Sequence, residues 1–491
     1  MNSIEAGSSR SLYPSDSSGN YMSDSNAVPT SLIRGLGLIA AISIVVGNVI
    51  GTGVFLKARV MTCNVGTPGL VLTAWIVAGL LSLAGALTYA ELAAMMPQAG
   101  GEYVFLREAY GSRLAFLYGW MQIFIAKTGS QASVAVAFAI FLNVLVGGAL
   151  DHQLFSLDLF GRRFSLGPLQ LVALGIIALM TLINCAAVAI SGRVATFLTG
   201  IKITLVLGVG LGAFLLAPGD WTHFSASDMG GTCVGVEETA RMGLAGFSAA
   251  MLGALWGYDG WNNITLVAGE IKNPQRNIPL ALIGGTIIII LLYVFVNAAY
   301  FYVLTPTEVA SVSPNSSVAT EVTRRFLGSL ATGLIAAALM ASSVGTLHTS
   351  ILTGARVPFA MARDGLFFQS LAKLSSRSRV PTGALIAQAV WASILTLSGS
   401  FDTLTDYVIF GSWIFYGLTT SAVFALRRRL PHAPRPYRTW GYPIVPALFL
   451  LATVWLLVST LLTAPLRSLI GLGLIALGWP VHWYSSHRQR P

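Results

Sequence analysis

The feature that most limits what this chain can become is a set of long segments without a charge. Residues 35–56, 60–90, 164–192, 277–307, 326–355 and 439–466 contain no Asp, Glu, Lys or Arg. Each exceeds the ~20 residues that cross a bilayer core of about 30 Å as a helix. Charged residues make up 10% of the chain and hydrophobic ones 55%, against about 25% charged in an ordinary soluble protein, which excludes a soluble multidomain enzyme. The 51 glycines fit the same class, because small residues let membrane helices approach closely. The expectation is an all-α membrane protein that spans the lipid bilayer many times.

Twelve transmembrane helices are placed at 34–62, 69–96, 113–147, 167–190, 193–217, 242–269, 279–304, 327–361, 382–400, 403–427, 442–465 and 467–486. Residues 1–33 lack the apolar stretch of a signal peptide and are read as a disordered cytosolic tail rich in Ser, Asn and Asp. With both termini cytosolic, 19 of the 29 Lys and Arg fall in inner segments, 8 in outer ones, and Lys127 and Lys202 within spans. That asymmetry is the positive-inside pattern. It accounts for the net charge of +10 as topology, with no nucleic-acid partner. Two connecting segments are read as more than connectors, plain connection being the alternative for each. Residues 97–111 are expected as a short helix along the inner membrane surface, and residues 305–325 as a cover over the outer mouth. Cys63, Cys185 and Cys233 have no metal-ligand spacing, and neither a metal nor a cofactor is expected. Cys63 and Cys233 both fall near the outer side; free thiols are the expectation and a bridge between them the alternative.

Two spans carry glycines where an apolar helix should be most regular. The first contains Gly47-Asn48-Val49-Ile50-Gly51-Thr52-Gly53-Val54-Phe55, the sixth Trp256-Gly257-Tyr258-Asp259-Gly260-Trp261-Asn262. Each glycine costs about 1 kcal/mol relative to alanine inside a helix, and unwound backbone cannot face lipid, so it must line an enclosed, wetted cavity. A broken helix offers free amides at the start of one half and free carbonyls at the end of the other; the first attract a carboxylate, the second an ammonium. Two such breaks side by side complement a zwitterion, which argues for an amino acid as substrate. The alternative is glycines that only let another helix pack closely, but it leaves Asp259 beside Gly260 unexplained. Breaks five helices apart also suggest inverted repeats of spans 1–5 and 6–10 around a central site, although no residue-level repeat is visible.

From about Arg34 to Leu426 the chain resembles the amino acid-polyamine-organocation (APC) transporters, in their L-type amino acid transporter branch. The resemblance rests on Gly47 to Phe55; Gly100-Gly101-Glu102-Tyr103 with Glu108-Ala109-Tyr110-Gly111; Trp256 to Asn262; Glu270-Ile271-Lys272-Asn273-Pro274-Gln275-Arg276-Asn277-Ile278-Pro279; and Ala355-Arg356 with Met361-Ala362-Arg363-Asp364-Gly365. It implies the LeuT-type fold: a ten-helix 5+5 inverted-repeat core at 34–427 with helices 1 and 6 broken, and two further helices at 428–491. By the same resemblance, Thr52 and Gly53 match residues whose amides hold the substrate carboxylate, with Gly51 giving close approach. Val49 and Ile50 match carbonyls facing the α-amino group. Trp256 matches the aromatic that closes over the substrate, and Asp259 the position whose backbone carbonyl helps hold the amino group. Tyr258, Asn262, Ser130 and His348 complete the candidate binding set; which of Ser130, Asn262, Thr346, His348 and Trp413 face inward stays open.

The Asp259 carboxylate is read as satisfying local backbone amides, the alternative being a partner for a cationic substrate side chain. Neutral amino acids are therefore preferred to cationic ones. Lys202, roughly 13 Å along span 5 from Arg193, is a buried cation and a functional candidate by default. It resembles a fixed substitute for the ion of sodium-coupled relatives, which implies sodium-independent transport by exchange or facilitated diffusion; a lysine snorkelling to the interface is its bland alternative. The role of Lys127 stays open, and a structural His348 is preferred to a proton carrier. Proton-coupled uptake through Asp259, Glu270 or His348, and an amino acid sensor, are the rival functions. Residues 147–167 lack the cysteine by which light chains of heteromeric animal transporters link to a heavy chain, so no disulfide-linked partner is expected.

Overall fold

The computed structural model describes residues 32–159, 162–226, 230–313, 316–397, 401–463 and 465–488; the tail expected at 1–33 lies almost wholly outside them. Among the described residues, seven helices are long and apolar enough to cross a membrane: Pro68–Met95, Ser112–Leu145, Pro168–Cys185, Val188–Leu216, Pro274–Val303, Leu330–Arg363 and Ile444–Leu462. Leu38–Val49 and Gly53–Val65 qualify together as one pair bent by 40°. Gly243–Gly257 is followed by the 3-10 helix Trp261–Glu270. Thr382–Leu397 and Ser468–Trp483 are shorter apolar helices, and Phe401–Arg429 ends on three arginines.

Glycines set the packing distances. A methyl on Gly47 would lie 2.5 Å from Thr199 Oγ1, and one on Gly79 would lie 2.6 Å from Ile290 and 2.7 Å from the Tyr258 hydroxyl. The first broken element thus sits tightly against Val188–Leu216, and Pro68–Met95 against Pro274–Val303. Trp75, Tyr258 and Tyr293 pack edge-on or tilted behind the two breaks, with centroids 5.1–5.8 Å apart.

Two expectations need correction. The connection 147–167 contains an antiparallel pair, Phe155–Leu159 with Arg162–Leu166; its period-2 alternation around Phe160-Gly161 favours a hairpin over an all-α connection. Cys63 and Cys233 are joined as a disulfide across 170 residues. Nothing in their spacing could signal a partner that only tertiary folding brings near. Residues 97–111 contain a short helix, Glu102–Tyr110, whose first five residues are buried. Gly100 and Gly101 adopt φ of +108° and +49°, and the Gly100 amide donates to the Leu266 carbonyl at 2.9 Å, which ties the turn before this helix to the second broken element.

Residues 305–325 form two helices, Pro306–Ser311 and Val318–Leu327. The first starts with a capping box, in which the Glu308 amide donates to Thr305 Oγ1 and the Thr305 amide to Glu308 Oε2.

Candidate substrate-binding cavity

The Leu38–Val49 helix stops because Ile50 turns to an extended ψ of 91°, and a new helix begins at Gly53. Four carbonyls at the end of a helix, and four amides at the start of the next, have no partner within it. Two of the stranded carbonyls are taken by Lys202. Its Nζ donates to Gly47 O at 2.7 Å and Ile50 O at 2.6 Å, and to Thr346 Oγ1 at 2.7 Å. Lys202 is fully buried. Gly345 leaves it room, for a methyl there would meet the Lys202 Cε at 2.7 Å. The ammonium therefore does not reach an interface; its charge is met by three oxygens at the break.

The second break lies alongside the first. Gly243–Gly257 ends, Gly260 adopts φ of +101°, and a methyl on Gly260 would lie 3.2 Å from Asn48 Cβ. The Tyr293 hydroxyl stands between them, 2.9 Å from Val49 O and 3.0 Å from Gly257 O. Past Gly260 the chain winds as a 3-10 helix, and this decides which asparagine faces the open space. Asn262 is buried, with its carbonyl accepting from Thr265 Oγ1, whereas Asn263 lines the cavity and accepts from Lys127 Nζ.

A cavity of about 1360 Å³ runs from these breaks towards residues 235–237 and 316–324. Of the expected set, Gly51, Thr52, Ser130, Trp256 and Asp259 line it, together with Lys57, Lys127 and Thr346. Gly53 lies just behind the wall, where a methyl would meet Trp256 Cζ3 at 2.9 Å. Lys127 follows a π-helical turn, Gln122–Ala126, of the kind that recurs at functional sites. Asp259 Oδ1 accepts from the Tyr416 hydroxyl at 2.7 Å; its partner is a distant side chain rather than the local amides expected. The wall thus carries the Lys127 ammonium and the Asp259 carboxylate near the second break, and the Lys57 ammonium over Trp256.

Val49, Ile50, Tyr258, Asn262, His348 and Trp413 lie outside the cavity lining. The Val49 and Ile50 carbonyls are engaged by Tyr293 and Lys202, and the Tyr258 hydroxyl donates to Trp75 O at 3.0 Å. His348 lies buried between Asn184 and Ser191. Its Nδ1 is 3.1 Å from Asn184 Nδ2 and its Nε2 is 3.0 Å from Ser191 O. Both ring nitrogens of His348 are thus engaged within the helix packing, in the pattern of an imidazole that accepts at Nδ1 and donates at Nε2. Trp413 stacks on Phe449. Glu270 is held by Arg356 through both carboxylate oxygens at 2.9 Å.

Sequence reasoning missed Tyr293, Tyr416, Asn263 and Lys57. Tyr293 and Tyr416 stand in apolar helices without any pattern around them. Asn263 was within reach, had the three-residue turn of a 3-10 helix been applied after Gly260.

A family model described as "Amino acid permease" matches residues 36–474. The chain belongs to the amino acid permease family. The permease is 32% identical over 462 residues to the serine/threonine exchanger SteT of Bacillus subtilis, covering 93% of this chain and 98% of that one. It is 30% identical over 439 residues to the human b(0,+)-type amino acid transporter 1, 89% of this chain and 84% of that one. To the human large neutral amino acids transporter small subunit 2 it is 28% identical over 461 residues, 94% and 82%. The permease is a multi-pass membrane transporter and not an enzyme, and the matched range spans both breaks and every residue of the cavity's deep end.

Proposed function

We propose that this permease carries amino acids across the cell membrane by alternating access, without sodium, as an exchanger or facilitator that prefers neutral side chains. The reading takes the twelve-span LeuT-type arrangement, with residues 34–427 as its 5+5 core, 428–491 as two added helices, and cytosolic termini. The observation that carries it is the Lys202 ammonium seated on Gly47 O, Ile50 O and Thr346 Oγ1. A tethered cation already satisfies the carbonyl end of the first break, where a mobile one would otherwise be drawn.

The substrate carboxylate docks on the amides at Thr52 and Gly53, beside Gly51. Ile50 O already accepts from Lys202 and from Ser342 Oγ at 3.3 Å, which uses both its lone pairs. The α-amino group is therefore assigned to the second break, at the Asp259 backbone carbonyl. Trp256 then covers the substrate, and the two broken elements tilt against the scaffold of Ser112–Leu145 and Leu330–Gly354. Side-chain preference follows from charge balance: a cationic side chain drawn to Asp259 also meets Lys127 in the same wall. A serine/threonine exchanger and a large neutral amino acids transporter among the relatives support the same preference. Two of the three cysteines are joined to each other, which supports operation without a disulfide-linked heavy chain.

The test is counterflow in proteoliposomes with the twenty standard amino acids, in sodium and in choline medium. The expected outcome is uptake of neutral amino acids, stimulated by internal amino acid and equal in both media. Uptake that needs a sodium gradient overturns the proposal.

A further inference from the structure

The Lys57 ammonium lies 4.7 Å from the centroid of the Trp256 ring. Gly53 and Lys57 are four residues apart on the Gly53–Val65 helix, and so share one face. Both meet the same indole. A methyl on Gly53 would lie 2.9 Å from Trp256 Cζ3 and 3.2 Å from Cε3, so the ring rests against bare backbone there. One turn further on, the ammonium covers its face. The lysine stem reaches this position over Gly253, one turn before Trp256 on Gly243–Gly257, where a methyl would come to 4.0 Å from Lys57 Cδ. Both Lys57 and Trp256 face the cavity.

We propose that Lys57 is a positioning residue for the Trp256 lid: glycine seat and ammonium cap hold the indole at one place on the wall, where it can swing over a substrate docked at the adjacent amides. The inference rests on the transport reading above. An ammonium over an indole face is an electrostatic attraction to the ring quadrupole. It acts on the lid itself, so its loss affects substrates of every side chain alike. The opposed alternative is that Lys57 attracts the substrate carboxylate directly through its charge, an effect that does not depend on the ring.

Lys57→Met keeps the stem and removes the charge, and Lys57→Arg keeps a cation that stacks on the ring. In counterflow, Lys57→Met raises KM about 3- to 10-fold by a similar factor for small and large neutral amino acids, and Lys57→Arg restores most of it. In a Trp256→Leu background, which removes the π face, Lys57→Met adds no further loss. A full Lys57→Met effect in that background overturns the proposal, as does an unchanged KM in the otherwise native protein. Detergent-solubilised variants are first compared by size-exclusion profile, and Lys57→Arg serves as the folded reference if Lys57→Met is poorly expressed. If the native protein transports no amino acid at all, it is the transport reading that fails.

Discussion

The two ends of the molecule are closed by different chemistry. Around Leu36, Glu91 and Glu270, separate elements meet through charges. Arg356 and Glu270 pair with side chains 0% and 1% exposed, Glu91 takes Arg427 at 2.6 Å, and Asp364 accepts from Arg107 and Tyr103. Leu36 adds a backbone link, its amide on Glu270 O at 3.0 Å and its carbonyl accepting from Lys272 at 2.8 Å. At the end with the hairpin, the halves of the two broken elements are bound to one another. Cys63 joins Cys233, Asn64 Nδ2 donates to Ala240 O at 2.6 Å, and the Met242 amide to Asn64 O at 2.7 Å. Ion pairs and hydrogen bonds between helices can separate and re-form, whereas a disulfide cannot. The first end is thus sealed by non-covalent contacts, and the second is walled by a covalent one as well.

The largest expected effect breaks the seal. Arg356→Met leaves Glu270 buried and unpaired, at a cost of about 3–5 kcal/mol, whereas Glu270→Gln with Arg356→Met removes both charges and recovers most of it. Thermal unfolding of the native protein and the two variants in detergent measures this. An Arg356→Met protein as stable as the native one means the ion pair does not close that end.

Next comes the wall. Cys63→Ser or Cys233→Ser is expected to lower stability by about 2–4 kcal/mol, and the double variant to lose no more than either single one. Reduction of the native protein should match them in the same melts. Additive losses from the two serines would show that the cysteines act separately and would remove the contrast between the ends.

The smallest effect concerns pH at the mouth. Burial pushes Glu308 up, but the Thr305 amide and hydroxyl and the Arg325 guanidinium outweigh it and hold the carboxyl below its usual range. A carboxyl depressed in the folded state stabilises it above the unfolded value, about 4.3, and that contribution is lost as pH falls through the folded value. Glu308→Gln should therefore lower stability at neutral pH, converge on the native protein below the folded value, and so flatten the acid side of the stability profile. A native-like loss below pH 4 in this variant would assign the acid sensitivity elsewhere.

How far each feature could be read in advance follows from its range along the chain. The helices were legible because hydrophobic runs are local, and the breaks because glycine at 51, 53 and 260 marks backbone that an apolar helix avoids. Gly260, at φ +101°, has the conformation that most favours this residue type. Lys202 stood out because a cation in an apolar run must be met by something; that it meets Gly47 O, Ile50 O and Thr346 required the fold. Tyr293 and Tyr416 were invisible, since each acts on a partner 36 or more residues away and belongs to no periodic pattern; the Cys63–Cys233 bridge was only the weaker of two readings, because a shared outer side does not bring two residues 170 apart into contact. Asn262 was reached as the last residue of the Trp256–Asn262 motif, whereas the place of Asn263 on the cavity wall follows from the 3-10 winding after Gly260.

The phenol of Tyr293 has one proton and two carbonyl oxygens within reach. It can satisfy only one of them at a time by a direct bond, and a turn of the C–O torsion hands that bond from one interrupted rod to the other. Either rod can draw back without stranding the donor. The junction between them is therefore held by one shared donor rather than by a separate bond for each rod.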